Sequence, residues 1–280
     1  MTIRLLGPND DAALEAFLGQ HRDSSMILRS NVRLSGLVYR QAAFHAQYLA
    51  AFQGEEIVSV IGHAWNGMLL VQTPEQVVEL ARGVVALSGR KVTGLLGPRT
   101  QVAAARDALG LNDAPLQSQS DETLYGLDLA NLIEPKVDEA VVLRPLQPED
   151  RETISDWRIA YNVETLGGKD TPEARASSAG WFEWLLADGS ARVATKGNVL
   201  LSFSAFNASL PDMVQLGGIF TPPALRGRHY ARAAIAASLV AARDRGVQRA
   251  VLFAENEHAI RCYESLGFEK VGEFGLVLFA

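Results

Sequence analysis

Apolar positions along the chain switch between two periods, and each switch marks a new element. Ile3 to Leu6 reads as a short strand. Asn9-Asp10-Asp11 then opens an amphipathic helix whose buried stripe is Leu14, Phe17 and Leu18. The segment from His21 to Leu37 is mixed in character and is assigned to helix. Gln47 to Phe52 and Ile57 to Ile61 flank Gln53-Gly54-Glu55, the pattern of a hairpin. A further apolar run, Met68 to Gln72, follows the turn at Asn66-Gly67. Thr73-Pro74-Glu75 combines a capping hydroxyl, a proline and an acid, so it predicts a helix start. That helix carries Val77, Val78, Ala81, Val84 and Val85 and ends at Gly89. Lys91 to Leu96 is a strand, Thr100 to Leu109 a helix stopped by Gly110, and Thr123 to Leu129 a strand that closes the first half.

Asn131 to Ala140 has no apolar period, holds Pro135 amid charges, and reads as a linker. Beyond it the order repeats. Val141 to Arg144 is a strand, Pro148-Glu149-Asp150 opens a helix to about Tyr161, and Thr171-Pro172-Glu173 opens another containing Trp181, Trp184, Leu185 and Leu186. Ala191 to Lys196 and Val199 to Asn207 form a hairpin around Gly197-Asn198. A strand at Leu216 to Phe220, a helix from Tyr230 to Arg245, a strand at Ala250 to Ala254, a helix at Asn256 and two closing strands complete the half. In order of elements both halves read β-α-α-β-β-β-α-β-α-β, so residues 1–130 and 141–280 are expected to be two α/β domains joined by residues 131–140.

The stretch Val214 to Arg232 organises the second domain. Its strand ends at Thr221-Pro222-Pro223, because proline has no N–H to give to a sheet ladder. A basic turn, Arg226-Gly227-Arg228-His229, then leads into the helix at Tyr230, with Ala231, Ile235, Leu239 and Ala242 on one face. The free N–H groups of a helix start thus lie beside two arginines. Such a site binds anions, phosphate above all.

Composition narrows the classes. The chain has 280 residues, 48% hydrophobic and 21% charged, within the range of globular proteins. Its net charge of −6 gives no general electrostatic case for nucleic acid or an anionic membrane. A single cysteine, Cys262, excludes an intrachain disulfide and fits a reducing compartment. The N-terminal residues lack the apolar core of a signal peptide, and no apolar run approaches the length of a membrane span. A cytoplasmic setting is expected.

Two segments resemble a known family. Arg226-Gly227-Arg228-His229-Tyr230-Ala231 is similar to the pattern Q/R-x-x-G-x-G/A of the GNAT acetyltransferases, with His229 where that pattern has its central glycine. Asn256-Glu257-His258-Ala259-Ile260-Arg261-Cys262-Tyr263-Glu264-Ser265-Leu266-Gly267-Phe268 resembles their second signature, N-x-x-A-x-x-x-Y-x-x-x-G-F. The repeated order resembles the tandem-domain GNAT proteins, of which mycothiol synthase is an example. The implied fold is two GNAT-like domains, each a mostly antiparallel central sheet flanked by helices. In the first half, Leu70-Val71-Gln72-Thr73-Pro74-Glu75 stands where the phosphate turn belongs. It has neither arginine nor glycine, and Glu75 repels phosphate, so a degenerate first domain is expected.

The resemblance implies acetyl-coenzyme A as cofactor and direct transfer to a primary amine, on a small molecule or a peptide. It implies that Ile219, Phe220 and Thr221 face the pantetheine arm and polarise the thioester, and that Arg226, Gly227, Arg228, His229, Tyr230 and Ala231 hold the pyrophosphate. His229 donates to that anion or obstructs it; an ordinary backbone conformation is expected for it. Tyr263 matches the tyrosine that protonates the departing thiolate in many members, or it packs as helix aromatics do. Asn256 caps its helix or also touches the cofactor. The strand from Met213 to Phe220 carries no acid, which leaves Glu255 as the candidate base beside its plain reading as a surface charge. Cys262 is read as a small core residue, and His258 as exposed. Trp181 and Trp184 build core or one wall of the acceptor cleft. No metal-ligand spacing is found among His21, His45 and His63, and Gly167-Gly168-Lys169-Asp170 lacks the earlier glycine and the Ser/Thr of a P-loop. The competing reading is a non-catalytic protein that holds coenzyme A as a sensor or interaction module.

Overall fold

The computed structural model describes residues 1–280, and the chain divides into two units. Unit 1 is formed by Met1–Leu124 and Val271–Ala280, unit 2 by Tyr125–Lys270. The chain begins with β1 (Thr2–Leu5), α1 (Asp11–Gln20), α2 (Met26–Ser35), β2 (Ala46–Gln53), β3 (Glu56–Ala64) and β4 (Met68–Gln72). It continues with α3 (Val77–Ser88), β5 (Gly94–Pro98), α4 (Arg99–Ala108) and β6 (Leu116–Asp128). The same order then recurs as β7 (Val142–Pro145), α5 (Arg151–Leu166), α6 (Pro172–Asp188), β8 (Arg192–Lys196), β9 (Val199–Ser209) and β10 (Met213–Phe220). It closes with α7 (Tyr230–Asp244), β11 (Arg249–Ala254), α8 (Glu257–Glu264) and β12 (Glu269–Phe279). This is the expected repeat, except that a single long strand, β12, replaces the two closing strands.

Local signals account for most of these elements. α1 buries Leu14, Phe17 and Leu18, the three positions its period marks. Gly54 (φ +65°) and Gly197 (φ +57°) supply the left-handed residues that the two-residue turns of the β2–β3 and β8–β9 hairpins require. Thr171 caps α6 by accepting from the Ala174 N–H at 3.2 Å, with Pro172 as its first residue. In each unit three consecutive strand pairs are antiparallel (β1–β2–β3–β4 and β7–β8–β9–β10), and the next pair, β4–β5 or β10–β11, is parallel.

Two expectations are corrected. The helix expected at Thr73-Pro74-Glu75 begins at Val77, because those residues are held otherwise. The Thr73 N–H goes to Gln101 Oε1 at 2.6 Å, the Glu75 N–H to Ser59 Oγ at 2.9 Å, and Gln76, at φ 57°, turns the chain into the helix. The second correction concerns the domain boundaries. The expected split gave residues 141–280 to the second domain, yet β12 from Val271 onward belongs to unit 1, where Phe274–Leu278 pairs antiparallel with β5. Its side chains explain why. Leu276 and Leu278 join the unit 1 cluster around Tyr48 and Phe52, while Val277 and Phe279 join the one around Leu69 and Leu95. Conversely, Tyr125, Leu127 and Leu129, expected in the first domain, pack with Leu239, Leu252 and Phe268 of unit 2. The second half of the sequence thus gives most of β12 to unit 1, and the first half gives the end of β6, from Tyr125, to unit 2.

This exchange makes a testable claim. A chain ending at Lys270 loses Leu276, Val277 and Leu278, and burial of each such side chain contributes about 1.5–3 kcal/mol. Hydrogen exchange should then accelerate in β5 and across unit 1, while β8 and β9 stay protected. Acceleration confined to unit 2 would show that the strand serves the unit in which its sequence begins.

Candidate active site

The site is built where β10 runs out of partners. On one side, β10 pairs in parallel with β11 only through Met213–Gln215, opposite Arg249–Val251. On the other, its register with β9 slips between Gln215 and Leu216 and again between Gly217 and Phe220. Gly218 sits inside the second slip at φ +67°, a bulge conformation that a side chain rarely tolerates. A Cβ at Gly217 would collide with the side-chain amide of Asn207 on β9. Gly218 and Ile219 are therefore without a register partner on either neighbouring strand. Beyond them the carbonyls are held from within: Ser202 Oγ donates to Phe220 O at 3.1 Å and lies 2.8 Å from Thr221 Oγ1.

The turn after β10 is tied down by Arg226. Its Nε donates to Thr221 O at 3.0 Å, and its two terminal nitrogens meet both oxygens of Glu164 on α5 at 2.8 Å. That pairing draws the Glu164 carboxyl below its usual range. The Arg226 charge, expected to meet phosphate, is thus answered within the protein, and its side chain acts as a strut. Arg228 is exposed and has neither an ion pair nor a hydrogen bond to its side chain. Arg232, in the first turn of α7, has a buried Nε with no acceptor. These two are the uncommitted cations beside the helix start.

His229 departs from the expected ordinary conformation. It stands at φ 64°, ψ 13°, left-handed, as the residue entering α7. The backbone thus keeps the shape a glycine would give, and the exposed imidazole is carried along. Gly227 at φ +77° and His229 flank Arg228, an alternation that turns successive N–H groups toward one concavity. No side chain caps α7, and its first internal bond runs from the Ala233 N–H to His229 O at 3.2 Å. The amides of Tyr230, Ala231 and Arg232 precede that bond and are open to an anion.

The second signature lies on α8. Asn256 caps it, its Oδ1 accepting from the His258 N–H at 2.8 Å and the Ala259 N–H at 3.3 Å. Tyr263 is half-buried, edge-on to Phe268 at 6.1 Å between ring centres. Ile219, Ala231, Cys262 and Tyr263 all pack against the same apolar cluster, which brings the open strand, the helix start and α8 together. Burial pushes the Cys262 thiol up to about 11, so it is a poor nucleophile at neutral pH. Glu255 is exposed at the end of β11, and His258 is exposed and contacts Arg261. No group of three or more His, Cys, Asp or Glu side chains is placed to hold a metal ion, and no helix is long and apolar enough to cross a membrane.

Trp157 and Arg158 carried no signal in the sequence, whereas Trp181 was expected as core or as one wall of the acceptor cleft. Trp157 on α5 lies 5.7 Å from the Phe220 ring, and Trp181 on α6 lies 5.7 Å from Phe203. Arg158, also on α5, approaches the bulge: a Cβ built on Gly218 would lie 3.5 Å from its Nη1. Arg232 had a readable signal, one helical turn after Arg228. Trp181 is partly buried against the unit 2 core, whereas Trp184 is 43% exposed.

Unit 1 has the same elements with the site closed. The segment from β4 to α3 is only Thr73 to Gln76, against Thr221 to His229 in unit 2. Two of its amides are occupied by Gln101 and Ser59, and Gln72 Oε1 accepts from Ser24. A Cβ at Gly97 on β5 would collide with the Val71 carbonyl, so β4 and β5 stay close where unit 2 opens. One trace of the repeat survives in the backbone: Gln76 and His229 enter their helices at φ 57° and 64°.

Residues 152–268 match the family model described as Acetyltransferase (GNAT) family. Along its length the chain is similar in fold to a tandem GNAT protein from the clavulanic acid biosynthesis pathway, at 15% identity, covering 100% of this chain and 98% of that one, with a TM-score of 0.57. It is also similar to a GCN5-related N-acetyltransferase from Sphaerobacter thermophilus (16% identity, 99% and 94% coverage, TM-score 0.62). A Drosophila malonogaster protein is likewise similar (13% identity, 99% and 98% coverage, TM-score 0.64). At these identities the likeness is one of fold. No curated protein matches the chain.

The left-handed His229 sets a measurable expectation. A non-glycine residue in this region costs roughly 1 kcal/mol or more. His229→Gly should therefore raise the stability of unit 2 to denaturant by up to about 1 kcal/mol, and His229→Val, β-branched, should lower it. A destabilised His229→Gly would mean that the imidazole, rather than the backbone, holds the turn.

Proposed function

We infer that unit 2 is an acetyl-CoA-dependent N-acetyltransferase that transfers the acetyl group directly to a primary amine. The observation that carries this reading is the continuity of three unanswered features: the open backbone at Gly218 and Ile219, the uncapped amides at the start of α7, and the unpaired Arg228 and Arg232. A long acyl carrier with a pyrophosphate at one end and an amide-bearing arm at the other fits that arrangement. The buried, unpartnered Nε of Arg232 is the direct test of fit, because a buried donor without an acceptor is costly unless a ligand supplies one.

Acetyl-CoA, when bound, supplies the activated acyl thioester. The protein's part is to position and to hold protons. Arg228, Arg232 and the amides of Tyr230 and Ala231 bind the diphosphate charge. Backbone N–H groups of the β10 bulge donate to the acyl oxygen, where donors fixed in advance are worth most as negative charge develops. Tyr263 Oη holds the proton that completes the thiol product; a phenol with pKa about 10 suits a thiolate of similar basicity. Asn256 fixes α8, and with it Tyr263, through its cap. β10 offers no carboxylate to deprotonate the amine, so the acceptor enters neutral or gives its proton to water or to Glu255. The lack of an acid on β10 is also what favours the second reading, a protein that holds coenzyme A without turnover.

Two substitutions separate these parts. Arg228→Glu should weaken coenzyme A binding by about 1.5–3 kcal/mol in calorimetry, a charged hydrogen bond's worth. Tyr263→Phe should leave that affinity intact and slow acetylation, followed as free thiol, by about 10²- to 10⁴-fold. Equal affinity in Arg228→Glu removes the phosphate site from this turn. Unchanged turnover in Tyr263→Phe makes the tyrosine structural.

A further inference from the structure

Arg158 is a cation without a counter-ion in a place where one is hard to justify by stability. It is half-buried on α5, with its guanidinium carbon 4.6 Å from the ring centre of Trp181 and 5.6 Å from that of Tyr161. Four other arginines of unit 2 are answered: Arg144 by Asp150, Arg175 by Asp156 and Asp170, Arg226 by Glu164, Arg243 by Glu134. Arg158 has no ion pair and no hydrogen bond. Burial accordingly lowers its pKa, with only Tyr161 acting to raise it. Stacking against aromatic faces covers the π surface of a guanidinium but leaves its in-plane N–H groups free, and those match a carboxylate in bidentate fashion.

Its position gives the charge a purpose. Nη1 lies 3.5 Å from where a Cβ of Gly218 would be, and Trp181 Cζ2 is equally close to that point. An anion held by Arg158 is therefore within a few ångströms of the unpaired backbone of β10. That backbone is where the reading given above places the acyl group, and the present inference rests on that reading. We propose that Arg158 binds the carboxylate of the acceptor, so that the acceptor is an amino acid with its amine and its carboxylate on the same or adjacent carbons. A single cation with no second basic side chain paired to it suits one negative charge rather than a phosphate. The ring of Trp157, tilted against Phe220, and that of Trp181 offer an apolar wall to the rest of the molecule.

The experiment compares matched acceptors with acetyl-CoA: free amino acids, their carboxamides, and the amines lacking the carboxyl group, each followed by free-thiol release. The wild type should favour the carboxylates, and Arg158→Gln should raise their KM by about 10- to 100-fold, largely sparing kcat and leaving the carboxamides unaffected. Arg158→Lys should fall between, since it keeps the charge and loses the fork. Unchanged coenzyme A affinity in both variants, measured by calorimetry, shows that they are folded. Carboxamides used as well as carboxylates by the wild type, or a preference that survives Arg158→Gln, would overturn the assignment while thiol release continues and the transferase reading stands. So would an effect of Arg158→Gln on the choice between acetyl and carboxyl-bearing acyl thioesters instead of on the acceptor. If no amine of any kind releases thiol although coenzyme A binds, the transferase reading fails and this inference fails with it.

Discussion

The candidate site depends on one failure of pairing: β10 cannot stay in register past Gln215. A strand inside a sheet has its N–H and C=O groups answered on both sides, and leaving them open costs free energy unless water or a ligand reaches them. Here Gly217 and Gly218 permit the break. The first admits the Asn207 amide against the backbone, and the second takes a left-handed angle inside the bulge. β11 leaves after three paired residues, and β9 slips. What remains is a short piece of main chain at Gly218 and Ile219 without a register partner, beside a half-buried arginine and two aromatic rings. Everything proposed for catalysis and for acceptor choice is referred to that opening.

The two units show how the same order of elements can hold or lose a site. In unit 1 the corresponding strands stay close, the loop into α3 is short, and the amides a phosphate would need are already given to Gln101 and Ser59. In unit 2 the loop is longer, Arg226 braces it against Glu164, and the amides are left over. The left-handed residue at each helix entry, Gln76 and His229, is the common backbone feature. Neither is glycine, so the conformation itself, rather than the residue that favours it, is what both units share. Because most of β12 belongs to unit 1 and the end of β6 to unit 2, neither sequence half makes up a complete unit.

Much of this was legible in the sequence where the cause is local. Leu14, Phe17 and Leu18, the Gly197-Asn198 turn, the Thr171-Pro172 start and the Asn256 cap all follow from residues within one or two turns of each other. The illegible parts have distant causes. Periodicity marks the chain after Gly267 as strand, but nothing local says that Leu276 and Val277 find their apolar neighbours near Tyr48 and Leu69. The Thr73-Pro74-Glu75 signal is sound by itself and is overridden by Ser59 and Gln101. Arg226 reads as a phosphate ligand until Glu164, on a helix of its own, is brought against it. Arg158 looks like any charge on an amphipathic helix, and only the fold sets it beside Gly218.

Amide hydrogen exchange of the whole chain with and without coenzyme A addresses the central claim most directly. Added coenzyme A should slow exchange at Gly218 to Thr221 and at Gly227 to Arg232, with Thr73 to Val77 in unit 1 unchanged. Protection at Thr73 to Val77, or none at the β10 opening, would contradict the assignment of the site to unit 2.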